Sequence, residues 1–228
     1  MLKRYYIGFS AMLVLSISVG EAQTPTLEED WVLLYNKEGI EGWRKSTEHS
    51  RFHAWRGQGM IDANFFRVVA VYMDSDRSCE WIADCIENRY LVKPDLEHQT
   101  TYNITDLPWP IRDRDLVFSE YYDFDVAQRS VEAKMWSDTH PDAPPTDNYV
   151  RATVIDSSFR ARWIDERHTW VEVELQVDPE GALPPSLVNT FTRSWPFQTF
   201  RALRRQIAGA QGYEGLEQQI RSAYPFGD

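Results

Sequence analysis

The chain lacks most of the features that announce chemistry. It has two cysteines, Cys79 and Cys85, too few for a cysteine-rich scaffold or a thiolate metal cluster. It has no G-x-S-x-G, no P-loop and no G-x-G-x-x-G, the signatures of many hydrolases, nucleotide triphosphatases and dinucleotide enzymes. Its five histidines form no ligand set. His49 and His53 fall in strand-like sequence, and His98, His140 and His168 are scattered, so no metal and no cofactor is expected. Positive charge is short too. The chain has 24 Lys and Arg against 35 Asp and Glu, for a formal net charge of −11. That balance argues against nucleic-acid binding and against broad adhesion to anionic lipid. After Val19 there is no apolar run long enough to cross a bilayer.

The one long apolar run is at the start. Lys3 and Arg4 precede a run from Tyr5 to Val19, and Gly20 and Ala22 supply small residues at the −3 and −1 positions of a cleavage site. Residues 1–22 are therefore expected to be a signal peptide, with an uncleaved anchor as the alternative. Residues 23–228 are expected to form one domain, periplasmic or secreted. Export would place Cys79 and Cys85 where disulfides persist, so they are a candidate pair; two buried free thiols are the alternative.

Aromatic residues are plentiful, with 9 Trp, 11 Tyr and 11 Phe. Trp31, Leu34 and Tyr35 sit at helical spacing, which predicts a short helix over 27–37. Strands are expected at 43–47 and 50–56, with Gly57 and Gly59 turning the chain, and at 65–73, which is β-branched and aromatic. A helical or turn segment is expected at 74–85. Further strands follow at 86–92, 97–105, 114–124, 129–136, 149–155, 159–165 and 169–177, with a polar loop at 137–147. Leu187, Phe191, Trp195, Phe200, Leu203 and Ile207 give one apolar face to a long helix over 185–208, kinked near 192–195 by Pro196 and ended by Gly209 and Gly212. The sum is an α+β domain: a curved antiparallel sheet wrapped around a long C-terminal helix, with an internal hydrophobic cavity.

The stretch Asp106–Asp115, D-L-P-W-P-I-R-D-R-D, stands apart. Pro108 and Pro110 fix φ and remove donors, so Trp109 is displayed on a stiff loop suited to be a lid. Asp113, Arg114 and Asp115 read as an ion-paired base for that loop. Strand alternation gives the inward set, which is the candidate ligand-binding wall or alternatively plain core. It comprises Arg114, Leu116, Phe118, Glu120 and Tyr122; Val131, Ala133 and Met135; and Val171, Val173 and Leu175. The helix adds Phe191 and Trp195. Glu120, one acid among aromatics, points to an internal ion pair or a ligand head-group contact. Asn103-Ile104-Thr105 matches a glycosylation sequon, a common chance triplet. Arg201, Arg204 and Arg205 read as a solvated helix face.

Four stretches carry a likeness: Trp43 with the strands after it; Glu80-Trp81; Leu107-Pro108-Trp109-Pro110 with Asp113-Arg114-Asp115-Leu116-Val117; and Val177-Asp178-Pro179-Glu180-Gly181 running on to Leu183-Pro184, Leu187, Val188 and Asn189. On these the chain resembles the START (steroidogenic acute regulatory protein-related) lipid-transfer domains, in their bacterial exported branch, over about 27–207. The resemblance implies a helix-grip fold around a lipid-sized tunnel, gated by the Pro/Trp loop and the C-terminal helix. It implies a lipid or other hydrophobic small molecule as partner, transient membrane contact, a monomer and no catalysis. Sterol carriers of the family often place an arginine six residues after the loop arginine; here that position is Glu120. The alternative function is a helix-grip aromatase/cyclase acting on a polyketide-like substrate, with Glu120 and Arg114 as its polar groups. A third is a ligand sensor that binds without transfer.

Overall fold

The computed structural model describes residues 30–209 and 211–226, and for Phe191 the backbone alone. The expected signal peptide lies outside the described residues. In chain order the elements are β1 (Trp31–Lys37), β2 (Ile40–Lys45), β3 (Ala54–Ile61), α1 (Phe65–Met73), a 3-10 turn (Ser75–Glu80), β4 (Cys85–Val92), β5 (His98–Thr105), β6 (Arg114–Asp125), β7 (Ser130–Ser137), β8 (Val150–Arg151), β9 (Thr153–Asp165), β10 (His168–Asp178), α2 (Pro185–Thr192), α3 (Trp195–Gly209) and α4 (Glu214–Ala223). Nine strands pair antiparallel in the order β1-β2-β3-β10-β9-β7-β6-β5-β4, and the short β8 runs parallel to β6. The sheet is open, with β1 and β4 at its edges. The seam between β3 and β10 joins the two ends of the chain.

Several elements differ from expectation. Residues 31–37 form a strand, not a helix. A bulge between Leu33 and Tyr35 shifts the register against β2 and leaves Trp31, Leu34 and Tyr35 half-buried, which imitates helical spacing. Residues 65–73 form α1 instead of a strand. Asn64 caps it, its Oδ1 accepting from Arg67 N at 3.0 Å. The helix lies between the sheet, α3 and α4 and is apolar nearly all round, so periodicity could not separate it from a buried strand. The expected strands 43–47 and 50–56 are displaced to Ile40–Lys45 and Ala54–Ile61.

Gly57 and Gly59 do not turn the chain. They lie inside β3, where α3 crosses it. A Cβ on Gly57 would come 3.0 Å from Pro196 Cβ and 3.4 Å from Phe200 Cδ2, and one on Gly59 would come 2.5 Å from Gly39 O. The single kinked helix is two helices, parted at Arg193 and Ser194, with Pro196 in the first turn of α3, where its missing N–H costs nothing. The helix α4 was not anticipated. Arg204 is not merely solvated: it donates to Glu38 O (2.7 Å), Gly39 O and Met60 O (2.7 Å), latching α3 to the β1–β2 turn.

The helices fill one end of the concave face. Phe65, Val68, Val69 and Met73 of α1 and Phe200, Leu203 and Ile207 of α3 form one buried cluster with the strand residues beneath them. Tyr213 and Ile220, both 0% exposed, extend the cluster under α4. The convex face carries charge: Arg56 bonds Glu174 (2.5 Å), and Arg160 bonds Glu172 (2.6 Å) and Glu132 (2.9 Å).

Candidate functional site

Cross-strand register arranges the concave face in rows. Tyr122, Ala133, Phe159, Val173 and Gly57 are successive partners across β6, β7, β9, β10 and β3. The next row towards the Pro/Trp loop is Gln99, Glu120, Met135, Ser157, Leu175 and Trp55. Alternation places Phe118, Leu116 and Arg114 beyond it on the same face.

The expected ligand wall divides along these rows. Ala133 and Val171 are 0% exposed, Tyr122 1%, Val131 2% and Val173 7%, all packed in the helix-covered cluster. Ala133 and Val171 have no accessible surface and the other three little, so all five pack as core. Leu116, Phe118, Met135, Leu175 and Trp195 keep partial exposure. The first four share the concave face by alternation, and Trp195 opens α3; the α2–α3 elbow is tied to the strand side by His53 N donating to Asn189 Oδ1 (3.1 Å). The side chain of Phe191 lies outside the described residues. A groove of about 450 Å³ does open elsewhere, on the convex face, but Glu132, Arg160 and Glu174 line it and pair with one another.

Trp109 does not cover the interior. Its indole is 92% exposed, on a turn closed by Ile111 N donating to Pro108 O (3.0 Å), with a cis Trp109–Pro110 bond. The flanking prolines hold the ring out from the body of the protein. The loop base is firmly tied. Asp113 Oδ1 accepts from Leu107 N (3.0 Å), and Asp115 accepts from Arg151 Nε and Nη2 at 3.0 and 2.8 Å. Arg114 donates to Pro179 O (2.9 Å), Glu180 O (3.0 Å) and Arg112 O. It thus fastens the loop to the turn between β10 and α2 instead of reaching into the interior.

At the β5–β6 end of that second row lies a polar cluster. Glu120, 5% exposed, accepts from Gln99 Nε2 and, at 3.2 Å, from the Tyr122 hydroxyl. Gln99 Nε2 also reaches Tyr122 Oη (3.1 Å) and Ser75 Oγ (3.4 Å), and Ser75 Oγ meets Thr101 Oγ1 at 3.2 Å. Burial pushes the Glu120 carboxyl up to about 7, against the hydrogen bonds from Gln99 and Tyr122 and the charge of Lys93. Tyr72 of α1 stacks on Phe159 at 3.6 Å, and its hydroxyl reaches only Met135 Sδ, at 3.7 Å. Burial first, then the nearby Glu120, pushes the Tyr72 phenol well above its usual value. The sequence reading missed Tyr72, Ser75, Gln99 and Thr101. The alternation of Gln99 and Thr101 opposite Glu120 and Phe118 was the available signal; Tyr72 was hidden by the wrong assignment of 65–73.

Cys79 and Cys85 are bonded, Cα to Cα 5.0 Å, closing the 3-10 turn onto β4. Asn103 is buried, its amide donating to Glu87 O (3.2 Å), which leaves no room for a glycan there. Asp95, Glu97 and His98 group at the surface before β5; Asp95 accepts from its own turn's amides.

Known proteins share this architecture. A family model described as START domain matches residues 21–209, so the match stops at the end of α3 and α4 lies beyond it. An uncharacterized protein of Pseudomonas aeruginosa is 27% identical over 200 residues, covering 86% of this chain and 96% of that one. START domain-containing protein 10 of Mus musculus is 23% identical over 199 residues, 84% of this chain and 65% of its own length. Among solved structures, a STAR-related lipid transfer protein fragment from Xanthomonas axonopodis has a TM-score of 0.71 at 25% identity, covering 79% of this chain and 99% of that fragment. Human STARD10 has a TM-score of 0.73 at 20% identity, covering 88% and 81%.

Proposed function

The chain belongs to the START domain family, and from that membership we propose that it binds a hydrophobic ligand, a lipid, and carries it without chemical change. The observation that carries this reading is a half-exposed apolar patch on the concave face. Leu116, Phe118, Met135 and Leu175 share that face by strand alternation and are incompletely covered, whereas the neighbouring row of Tyr122, Ala133, Phe159 and Val173 is buried. Tyr72 adds to it: its phenol is desolvated, yet the side chain keeps accessible surface, as expected of a group beside interior space. The relative from Xanthomonas is described as a lipid transfer protein, which agrees with this use of the fold.

On this reading the ligand passes between the Pro/Trp loop and the α2–α3 elbow. Arg114 is the latch, because it holds the loop base and the β10–α2 turn together. The break at Arg193 and Ser194 is the hinge about which α2 swings, since a helix interruption concentrates bending in few residues. The outward Trp109 suits brief contact with a membrane surface, where an indole partitions well. The protein is proposed to work as a monomer after export and cleavage following Ala22.

Protein purified from its native compartment should release a co-purifying lipid on solvent extraction, near one molecule per chain by mass spectrometry. N-terminal sequencing of the same preparation should start at Gln23. An empty protein that also fails to bind fluorescent lipids defeats the carrier reading; an uncut leader defeats only the exported location.

A further inference from the structure

The polar cluster around Gln99 and Glu120 has an unbalanced inventory. Its acceptors are the Glu120 carboxyl and Gln99 Oε1, the latter buried with no hydrogen-bond partner among the described residues. At pH 8, where Glu120 is ionised, flipping the glutamine amide does not cure this, because the carboxylate needs the N–H₂. On the donor side, the Tyr72 hydroxyl is engaged only by thioether sulfur at 3.7 Å, a weak acceptor. Of the cations, Arg114 donates to three backbone carbonyls, and Lys93 donates to the Tyr90 hydroxyl at 2.6 Å while its charge acts on Glu120. The interior end of the site thus presents acceptors and one neutral donor, with no guanidinium fork directed inward.

We infer that the ligand ends in a neutral hydroxyl-bearing headgroup, seated between Glu120, Gln99 and Tyr72, and that lipids ending in a phosphate are rejected. A hydroxyl donates once and accepts. It supplies the proton that Gln99 Oε1 or Glu120 lacks and takes the one that Tyr72 offers. A phosphate brings charge of the same sign as the carboxylate into a desolvated place where the one ammonium acting on the cluster, Lys93, is already balanced by Glu120, which is how a site discriminates by repulsion. This inference rests on the carrier reading and deepens it.

Two probes with one tail separate the headgroup from the chain: 1-oleoylglycerol and 1-oleoylglycerol 3-phosphate, each displacing the neutral dye Nile red from the purified protein at pH 8. The glycerol lipid should displace the dye at a concentration about tenfold or more below that of its phosphate. Glu120→Gln keeps the shape and removes the charge, and should narrow the gap to about threefold or less. Tyr72→Phe keeps the ring on Phe159, and should raise the 1-oleoylglycerol concentration required about fivefold. Circular dichroism checks that each variant folds; if Glu120→Gln does not, Tyr72→Phe decides. Equal displacement by the two lipids, or variants that behave like the parent, overturns this inference and leaves the carrier reading standing. If dye and both lipids fail to bind, the carrier reading falls, and this inference with it.

Discussion

A single carboxyl group sets the pH response at the residue scale. Glu120 is ionised in the unfolded chain above its usual value of 4.5, while in the folded protein burial holds it neutral up to about 7. Between those values the folded state binds the extra proton, so this group's contribution to stability is undiminished below 4.5 and falls as pH rises to 7. Above 7 the penalty is constant, on the order of 3 kcal/mol at most. Tyr122 on its own strand, Tyr72 from α1, and Tyr90 and Lys93 from β4 and the loop after it are the titratable groups around the cluster. The tyrosines stay neutral in this window, so the change belongs to Glu120. Glu120→Gln should be as stable as the parent in urea at pH 4 and more stable at pH 8 by about 1–3 kcal/mol. A difference of the same size at both pH values would remove the titration from the account.

At the scale of single elements, β3 and α3 depend on each other through absent side chains. Gly57→Val places a branched group where Pro196 Cβ already stands 3.0 Å from an added Cβ, so α3 must lift. We expect a loss of about 1–3 kcal/mol in chemical denaturation and looser packing at Phe200. These glycines also show what the sequence could not tell. Gly in a strand marks either a bend or a close approach, and only the crossing helix decides which. The β6 strand was legible because Glu120 and Tyr122 alternate cleanly with exposed Tyr121 and Asp123. The loop base was legible because D-R-D before a strand has few other uses. Two elements were misread for opposite reasons. A bulge gave β1 the spacing of a helix, and full enclosure took from α1 the polar face that would have revealed it. The misreading of α1 cost the site its tyrosine. The difference between buried and half-exposed positions was illegible throughout, since Ala133 and Met135 lie on one strand and one face yet differ in exposure.

Across the whole molecule, α4 matters more than its position beyond the family match suggests. Tyr213 and Ile220 are fully buried, Tyr224 stacks on Phe124 at 3.9 Å, and Phe226 lies 4.7 Å from Phe65. Arg67 of α1 pairs with Glu217 at 2.8 Å. Ending the chain after Gly209 removes all of these and exposes the outer side of α1. Tyr213 and Ile220, fully buried at ~1.5–3 kcal/mol each, with smaller shares from the half-buried Tyr224 and Phe226, predict a loss of about 5 kcal/mol and a visibly lower Tm by calorimetry. An unchanged Tm would mean that α4 merely rests on the surface. The pairing of β3 with β10, Ile61 against Thr169 and Trp55 against Leu175, carries a consequence for biogenesis. A ribosome finishes β3 and must add roughly another hundred residues before its partner exists, so non-local closure is deferred to the end of synthesis and folding is slow for the chain's length. Until then the two flanks of the sheet stay unjoined, and the polypeptide cannot complete its core.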